Sequence, residues 1–392
     1  MPPPAERLWL AYVIGAFGLA ATAQVNFLVP LRARELGASF EVIGLIVGAG
    51  AAAPALLAVT TGAVIDRLGA KRTFVIGTAA TALLSALFMF VTRYWWFVAL
   101  QPLLGIARNL GWLASQTYIT GLGHGEQRQA IAGRFAFFTN GGQMVAPAVI
   151  GVIAQLVGFR WAFLFLSAYA AGFAVIGALL PSPTGADSPD PAEGHGIGIR
   201  SALQMLALPW VQAMLLLSAV RLWVMWTYTA FMPAYMIEHG LQPATVGTVL
   251  ATYGVLATLM ALTTGFWTRF ASGPAVAILG LAFGAVGLLL APHLVSVPGV
   301  YLAPVLIGIG HGVSLPLLLT IMAGEAPAGK RGVALGLRGA ANQAAAATGP
   351  ALVGTLISAA GMGFGFAVAA LVGAAMLLGA HLLHVSAVRR QR

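Results

Sequence analysis

Long apolar runs make up most of the chain, and short segments rich in Gly, Pro and charged residues separate them. Each run is long enough for an α-helix to cross the hydrocarbon core of a bilayer, which takes about 20 residues. The runs lie near 8–31, 41–64, 73–92, 95–121, 131–155, 160–180, 208–236, 244–268, 273–293, 298–322, 332–358 and 363–385. The pattern predicts an all-α membrane protein with about twelve transmembrane helices.

A polar segment separates the sixth run from the seventh. Residues 181–207 contain the stretch PSPTGADSPDPAEGHG, which is rich in Pro, Gly, Ser and Asp and holds three of the ten acidic residues. That composition is typical of a flexible linker. We therefore predict an N-terminal six-helix bundle over residues 1–180, a cytoplasmic linker over 181–207 and a C-terminal six-helix bundle over 208–392.

The two predicted bundles are related in sequence. Pro30 and Pro233 are 203 residues apart, and the same offset pairs many further positions without a gap. The pairs include Gly44 with Gly247, Gly77 with Gly280, Gly105 with Gly308, Arg128 with Arg331, Pro147 with Pro350 and Gly151 with Gly354. Shared helix composition would not keep Pro and Gly in register, so we predict a duplication. Many secondary transporters are built from such repeats, with the substrate site near the midplane between them.

The composition narrows the class of protein. Of the 392 residues, 59% are hydrophobic and 8% are charged, whereas an average soluble protein is about 25% charged. So few charges cannot keep a soluble surface hydrated, and the hydrophobicity is too high for a disordered chain. The absence of Cys excludes disulfides, iron–sulfur clusters and Cys-based zinc sites. We expect no cofactor.

The net charge of +10 could indicate a nucleic-acid partner, but the positions of the basic residues explain it differently. If the N-terminus is cytoplasmic, the inside segments hold twelve Lys and Arg residues and the outside loops hold four. This satisfies the positive-inside rule, so both termini are predicted to be cytoplasmic and no nucleic acid is expected. The first run is too long for a cleavable signal and should be retained. We expect a monomer in a bacterial cytoplasmic (inner) membrane.

The loop after the second run carries a recognisable motif, GAVIDRLGAKR, over residues 62–72. It resembles the signature loop of the major facilitator superfamily, in which a Gly is followed by Asp-Arg, a second Gly and a basic pair. Gly62 would permit close helix approach, and Asp66 could face a helix N-terminus, for which the resemblance implies the start of the eleventh helix near Gly332. The resemblance implies gating roles for Gly62, Asp66, Arg67, Gly69 and Arg72. Ordinary positive-inside charge is the alternative for the basic residues and for Asp66.

The fifth run contains GQMVAPAVIG over residues 142–151. It resembles the antiporter motif of exporters in the same superfamily, although Ala146 and Ile150 replace two of the glycines. Pro147 and Gly151 favour a kink and close helix packing, and Pro350 repeats the theme in the eleventh run. The match favours export over import, with a generic small-residue packing seam as the alternative interpretation.

The ionisable residues in the middle of the apolar runs are cations. All ten acidic residues lie in loops or at run ends, whereas Arg108, Arg221 and His311 lie mid-run and Arg134 and Arg338 lie one or two turns inside. A charge at the bilayer centre costs at least about 2.5 kcal/mol, so such residues usually face a cavity and mark function. Without an acid to pair them, they indicate an anionic substrate. Cations bonded to helix carbonyls or snorkelling to an edge are the alternative.

Neighbouring residues extend the predicted site. Trp112 shares a helix face with Arg108, Tyr228 shares one with Arg221, and Asn342 lies one turn from Arg338. Gln24 and Asn26 are included because the first helix contributes to the cavity in the resembled family, and ordinary packing is the alternative for the aromatic residues. The predicted substrate-binding residues are Arg108, Arg221, His311, Arg338, Tyr228, Trp112, Gln24, Asn26 and Asn342.

The leading functional hypothesis is a secondary transporter that exports an organic anion or acid-bearing amphiphile by alternating access. An inside-negative potential favours anion exit by about 2.3 kcal/mol per charge per 100 mV, and exchange with a counter-anion would also serve. The alternative is a proton-coupled polyspecific drug antiporter. Many such exporters carry an Arg four residues before the Gly of the fourth helix, where this chain has Gln101 before Gly105. This difference argues against proton transfer by the fourth helix, and His311 is the remaining candidate for moving protons.

Two other classes receive less support from the sequence. We do not expect an enzyme, because no nucleophile–base pair, carboxylate pair or metal cluster is evident. The sequence also has no ATP-binding loop of the G-x-x-x-x-G-K-[ST] type, which argues against primary pumping. A non-transporting receptor with the same fold stays open.

Overall fold

The computed structural model describes residues 8–122, 125–181, 199–325 and 331–391. Within those ranges it contains helices and no β-strand, which confirms the predicted all-α fold class. The helices are α1 (Leu8–Val13), α2 (Gly15–Glu35), α3 (Phe40–Leu56), α4 (Ala58–Leu68), α5 (Ala70–Met89), α6 (Trp95–Thr120), α7 (Gly125–Leu179), α8 (Ile199–Leu206), α9 (Pro209–Glu238), α10 (Pro243–Leu262), α11 (Thr264–Trp267), α12 (Gly273–Leu290), α13 (Leu302–Glu325), α14 (Arg331–Ala360) and α15 (Met362–Gln391), with 3₁₀ turns at Ala291–His293 and Gly299–Tyr301. Most of the predicted linker, residues 182–198, lies outside the described ranges.

In the described residues, eight helical segments are long and apolar enough to cross a membrane, and the bent pair formed by α3 and α4 would make a ninth. One of the eight, Gly133–Leu179, has 47 residues and so the length of two spans. Helices α6 and α14 have the length of a span, with 26 and 30 residues, but polar side chains such as Gln101 and Asn342 interrupt their apolar character. The count of twelve stays a prediction.

Glycines with positive φ set helix boundaries, as Gly158 and Gly69 illustrate. Gly158 has φ +81° and breaks α7 into two arms, where the sequence predicts two separate runs. Gly69 has φ +80° between α4 and α5, and its N–H donates to the backbone oxygen of Ile65 at 2.9 Å. Only glycine adopts such positive φ values without steric cost, so the helix direction can change at these two positions.

The described chain divides into two compact units. The first contains the described parts of residues 1–38, 49–194 and 240–251. In this unit α2 and α5 each pack against both α6 and α7. The ring of Phe17 lies at the centre of the packing, 5.9 Å from the ring of Phe74 and 5.7 Å from that of Phe173. The Tyr169 hydroxyl ties α7 to α2 by donating to the Ala16 oxygen at 2.8 Å.

The second unit contains the described parts of residues 39–48, 195–239 and 252–392. Helix α9 is its centre and packs against α12, α13, α14 and α15. Phe231 and Phe366 are fully enclosed there, and the indole N–H of Trp223 donates to the Ala369 oxygen at 3.0 Å. Small residues allow the helices to approach closely, as at Gly280, where an added Cβ would meet Gly310 and Val313.

The 203-residue offset relates helix crossings as well as sequence positions. In the first unit, a Cβ added to Gly105 would collide with the backbone of Gly50. At the corresponding place in the second unit, a Cβ on Gly308 would lie 2.8 Å from the backbone oxygen of Tyr253. The two contacts are equivalent because 105 and 50 become 308 and 253 under the offset. The predicted duplication therefore appears in the packing of each unit.

A second pair of crossings follows the same rule and involves the predicted antiporter motif. A Cβ on Gly151 would lie 2.5 Å from the Pro243 oxygen, and a Cβ on Gly354 would lie 2.6 Å from the Phe40 oxygen. The first contact lies inside the first unit and the second inside the second unit. Each brings two helix backbones into contact without side chains between them.

Candidate functional site

Arg108 is a buried cation of the first unit. It lies on α6, one turn after the Gly105 crossing, and its side chain is 7% exposed. Its Nη1 atom is enclosed and has no hydrogen-bond partner among the described residues. An enclosed donor without a partner costs about 1–3 kcal/mol, and more when it is charged. The guanidinium is therefore a group that an anionic ligand would stabilise.

Two amides of the same unit also hold unpaired atoms. Gln24 on α2 and Gln101 on α6 are 2% and 3% exposed, and within the described part of the chain the Oε1 atom of each lacks a donor. The Cγ of Gln101 lies where a Cβ on Gly50 would come within 2.9 Å, so this side chain packs at the α3–α6 crossing. Asn26 is also buried. These amides can accept hydrogen bonds but cannot compensate the charge of Arg108.

Trp112 and Arg134 are held by aromatic contacts. The Trp112 ring stacks on Phe135, with ring centres 6.2 Å apart, and fills the space above Gly18. Its packing interpretation therefore has direct support. Arg134 is exposed and lies 5.5 Å from the ring centre of Tyr12, with Nη1 donating to the Tyr12 hydroxyl at 3.3 Å. A cation–π contact of this kind stabilises an exposed Arg without an acid.

The second unit brings Arg221 and His311 together, as the sequence alone did not predict. Arg221 on α9 donates through Nε to the backbone oxygen of His311 on α13 at 3.4 Å, and its Nη2 contacts the His311 Nε2. Because a guanidinium can only donate, Nε2 is the acceptor and the imidazole is neutral, with its proton on Nδ1. That Nδ1 is enclosed and unpaired among the described groups. Both of these partners are neutral, so no hydrogen bond within the described part of the chain brings a negative charge to Arg221.

Tyr253 on α10 joins this pair and was missed by the sequence analysis. Its ring packs edge-to-face against His311, with centres 5.2 Å apart and an interplanar angle of 73°. Its hydroxyl is enclosed and has no partner among the described residues. No sequence signal separated this residue from an aromatic side chain used for packing. The hydroxyl adds a neutral donor close to the Arg221–His311 pair.

Arg338 and Asn342 lie one turn apart on α14, as predicted, and both are half-buried. The Nε of Arg338 and the Oδ1 of Asn342 are enclosed without a partner in the described ranges. Arg338 lies within electrostatic reach of Arg221, and the interaction between the two cations is unfavourable. The two helices supply no nearby acid to offset this repulsion. Helix α14 contains no Asp or Glu, and the acidic residue of α9 is its last residue, Glu238.

Tyr228 is enclosed inside the second unit. Its side chain is 1% exposed and is among the largest that are fully enclosed. The enclosure arises because α9 is surrounded by helices of its unit, so most of its faces are packed. Tyr228 belongs to that packing, and its hydroxyl, like that of Tyr253, is enclosed without a hydrogen-bond partner among the described residues, so its role in binding stays a prediction.

The signature loop is only partly as expected. Asp66 and Arg67 lie in the last turn of α4, Arg72 lies in the first turn of α5, and all three side chains are exposed. Gly62 does not mediate a close helix contact, because a Cβ there would meet no described atom within 4 Å. The contact of Asp66 with the region of Gly332 stays a prediction.

The two predicted kink residues lie inside long helices. Pro147 is within α7 and Pro350 within α14, and both are buried. The backbone oxygen of Pro147 lies against Gly247, and that of Pro350 lies against Gly44. The glycines of these crossings allow the close approach in each unit, which leaves a role in gating as a proposal.

An apolar cavity of about 540 Å³ lies between α9, α14 and α15 in the second unit. Its walls include Leu215, Leu216, Met376 and Leu383, and none of its lining residues is charged. It is therefore separate in chemistry from the cation-bearing group around Arg221.

Comparison with known proteins places the chain in a family. Residues 8–350 match the model of the Major Facilitator Superfamily, with a second match over residues 214–392. The chain belongs to this superfamily. It is therefore a multi-pass membrane protein, and the superfamily is one of membrane transporters and not of enzymes.

Individual relatives support the same class. A protein described as a probable actinorhodin transporter of Streptomyces coelicolor (strain ATCC BAA-471 / A3(2) / M145) is 31% identical over 321 residues, which cover 75% of this chain. The match covers 51% of that relative, so the chain spans about half of its length.

Solved structures of low sequence identity share the fold. The nucleoside transporter NupG superposes with a TM-score of 0.79 at 13% identity, over 96% of this chain and 99% of NupG. A bacterial homolog of the human lysosomal transporter Spinster, in an inward-facing and occupied conformation, superposes with a TM-score of 0.74 at 15% identity. The match covers 97% of this chain and 96% of the homolog. These likenesses show the fold and carry no information on the substrate.

Proposed function

We propose that the chain exports an organic anion, or an amphiphile that bears an acidic group, by alternating access. The observation that carries this proposal is the set of enclosed guanidinium groups without a carboxylate. Among the described residues, Arg108 has an unpaired Nη1, Arg338 has an unpaired Nε, and the hydrogen-bond partners of Arg221 are neutral acceptors of His311. Helices α6 and α14, which bear Arg108 and Arg338, contain no acidic residue.

The energetic argument is that uncompensated buried charge is costly and an anion removes that cost. Charge-assisted hydrogen bonds between a guanidinium and a carboxylate are about twice as strong as neutral ones, and Arg can bind both carboxylate oxygens at once. A buried charge without a partner in the protein is unfavourable, and a residue that carries one is therefore expected to bind a ligand. We assign Arg108 in the first unit and Arg221 in the second as residues that can each bind such an acidic group.

Export follows from the direction of the membrane potential. An inside-negative potential drives an anion outward by about 2.3 kcal/mol per charge per 100 mV, so neither ATP nor an inward proton flow is required. Exchange against an external counter-anion is an equivalent mode. The 31% identical relative described as a probable actinorhodin transporter supports an organic substrate. The proposal includes a cytoplasmic membrane, a functional monomer and termini on the cytoplasmic side.

Flux through reconstituted liposomes tests the proposal. Vesicles containing the full chain are loaded with carboxyfluorescein, an anionic dye, or with ethidium, a cationic one, and release is followed under an imposed potential. We expect potential-dependent release of the anionic dye, which Arg108→Gln and Arg221→Gln reduce at least tenfold. Arg93→Gln is the matched control, because it removes an exposed cation of α5–α6 loop residues 90–94.

The two arms separate the proposal from its rival. The rival is a proton-coupled polyspecific drug antiporter. It would be identified if a proton gradient drives ethidium transport while flux of the anionic dye is absent, or is unchanged in the Arg108 and Arg221 variants. Anion release that depends on both arginines supports the proposal.

A further inference from the structure

The register between α9 and α14 places the two cations of the second unit at different levels. A Cβ on Gly349 would lie 3.3 Å from the Trp223 ring and 3.4 Å from the Thr227 hydroxyl, and a Cβ on Gly354 would lie 3.2 Å from the Phe231 ring. Contacts on both helices advance together along the chain, so the helices run parallel.

This register fixes the axial spacing of the two guanidinium-bearing positions. If the same register is extended toward the start of α14, Arg338 lies level with Met214 in the second turn of α9. The α-helical rise of 1.5 Å per residue then separates the Arg338 and Arg221 levels by about 10 Å. Two long flexible side chains spaced in this way can each hold one end of a ligand.

Unpaired polar atoms continue between the two levels. Asn342 lies level with Ser218, and in the described structure neither the Asn342 Oδ1 nor the Ser218 Oγ has a hydrogen-bond partner. Above them, the Nδ1 of His311 and the hydroxyl of Tyr253 are also unpaired, beside Arg221. Unpaired polar atoms lie near the Arg221 level and near the Arg338 level, which indicates a ligand with a polar group at each end.

We propose that the second unit contains a two-point site for a diacid. One acidic group binds Arg221, with His311 Nδ1–H and Tyr253 O–H as further donors, and the other binds Arg338. The inference rests on the proposed function, since it names the substrate class of that site. A single carboxylate would compensate one guanidinium and leave the other repelled, whereas two carboxylates compensate both. The axial spacing selects acids at opposite ends of a ring system over acids on adjacent carbons.

Three naphthalene acids test this site on the full chain purified in detergent. The probes are 2-naphthoate, naphthalene-2,6-dicarboxylate and naphthalene-2,3-dicarboxylate, and the readout is Kd by calorimetry. We expect the 2,6-diacid to bind about tenfold more tightly than the monoacid, since one added charged contact supplies about that factor. The 2,3-diacid should lack this advantage.

Variants assign each end of the ligand. Arg338→Gln should bring the Kd of the 2,6-diacid to that of the monoacid while leaving the monoacid unchanged. Tyr253→Phe should weaken both ligands by the same factor, about three- to tenfold, because it acts only at the shared end. Arg221→Gln should weaken both more strongly.

The outcomes separate the two proposals. If anions bind through Arg221 but the monoacid and both diacids have equal Kd values, the two-point site is wrong and the proposed function stands. A preference for the 2,3-diacid also overturns it, because both acids would then share one end. If none of the three anions binds, the proposed function itself fails. The wild-type comparison needs no variant, so it decides the matter even if Arg338→Gln does not fold.

Discussion

The Nε of Arg221 donates to the backbone oxygen of His311 at 3.4 Å, and the Arg221 Nη2 contacts the imidazole Nε2 of the same residue. One histidine thus holds a guanidinium by its main chain and its side chain together. The backbone acceptor would survive any substitution at position 311, whereas the ring acceptor would not. The orientation of Arg221 can therefore be varied without removing its charge.

The first prediction uses this difference. His311→Ala should weaken binding of an anion at Arg221 about five- to tenfold, because the guanidinium loses one of two orienting acceptors and gains conformational freedom. His311→Gln should restore much of the affinity, since its amide oxygen can accept from Arg221. Kd values for 2-naphthoate measure both variants. Equal weakening by Ala and Gln would show that the ring contributes mainly through donation from its Nδ1–H to the ligand, and that its contact with Arg221 adds little.

The second prediction concerns the contribution of Arg108 to the stability of the protein. If its charge is compensated only by a ligand, replacing it with an apolar side chain of similar length should not destabilise the apoprotein. We expect Arg108→Met to retain or raise the stability of the protein, by about 1–3 kcal/mol, because an enclosed charge without a partner is lost. The thermal midpoint in the absence of substrate measures this, with dye flux as the companion readout.

Arg134→Met is the contrasting control for that experiment. Arg134 holds a hydrogen bond and a ring contact with Tyr12, so its loss should lower the midpoint slightly. A large drop for Arg108→Met would show that Arg108 is a structural cation and would remove the main support for an anionic substrate.

The sequence predicted the architecture because hydrophobic length and glycine spacing are local properties. The sequence predicted close helix packing at Gly151 and a duplication that pairs this residue with Gly354, and the structure shows both glycines at close crossings with matched partners, Pro243 and Phe40. Such crossings depend on the absence of a side chain, which a sequence displays directly. The end of the fifth run was also visible, since Gly158 can take the positive φ that breaks α7.

The site was less predictable because it depends on which helix faces meet. Arg221 and His311 were both candidates, but their contact joins residues 90 positions apart and has no local signal. Tyr253 was missed for the same reason, since its hydroxyl matters only beside His311. Tyr228 shares a helix face with Arg221 and lies about two turns further along, where neighbouring helices enclose it, and the sequence alone does not show that enclosure.

The third prediction tests the equivalence of the two glycine crossings. Gly151→Ala and Gly354→Ala each force a Cβ to within 2.6 Å or less of a backbone oxygen, which cannot move aside as a side chain can. We expect each variant to lose about 1–3 kcal/mol of stability, and the two losses to be similar. The thermal midpoint of the purified protein is the measurement.

Matched controls exist on the same two helices. A Cβ on Gly172 of α7 or Gly339 of α14 would meet no described atom within 4 Å. Gly172→Ala and Gly339→Ala should therefore be neutral or slightly stabilising, since Ala restricts the unfolded chain. If Gly151→Ala is as harmless as Gly172→Ala, the close crossing is not maintained in the protein.

The last prediction addresses the proposed gating role of Asp66. Its carboxylate lies in the last turn of α4, where the helix dipole disfavours negative charge by about 0.3–1 kcal/mol, and the side chain is exposed. Asp66→Asn should therefore leave the thermal midpoint unchanged or slightly higher. If the carboxylate guides alternation between conformations, the same variant should slow dye release about tenfold with little change in Kd, because gating affects turnover and not the binding site. Arg67→Gln, at the adjacent exposed position, gives the comparison for a change of charge in the same loop. Wild-type release rates in Asp66→Asn would mean that this acid contributes only to the charge of the membrane surface.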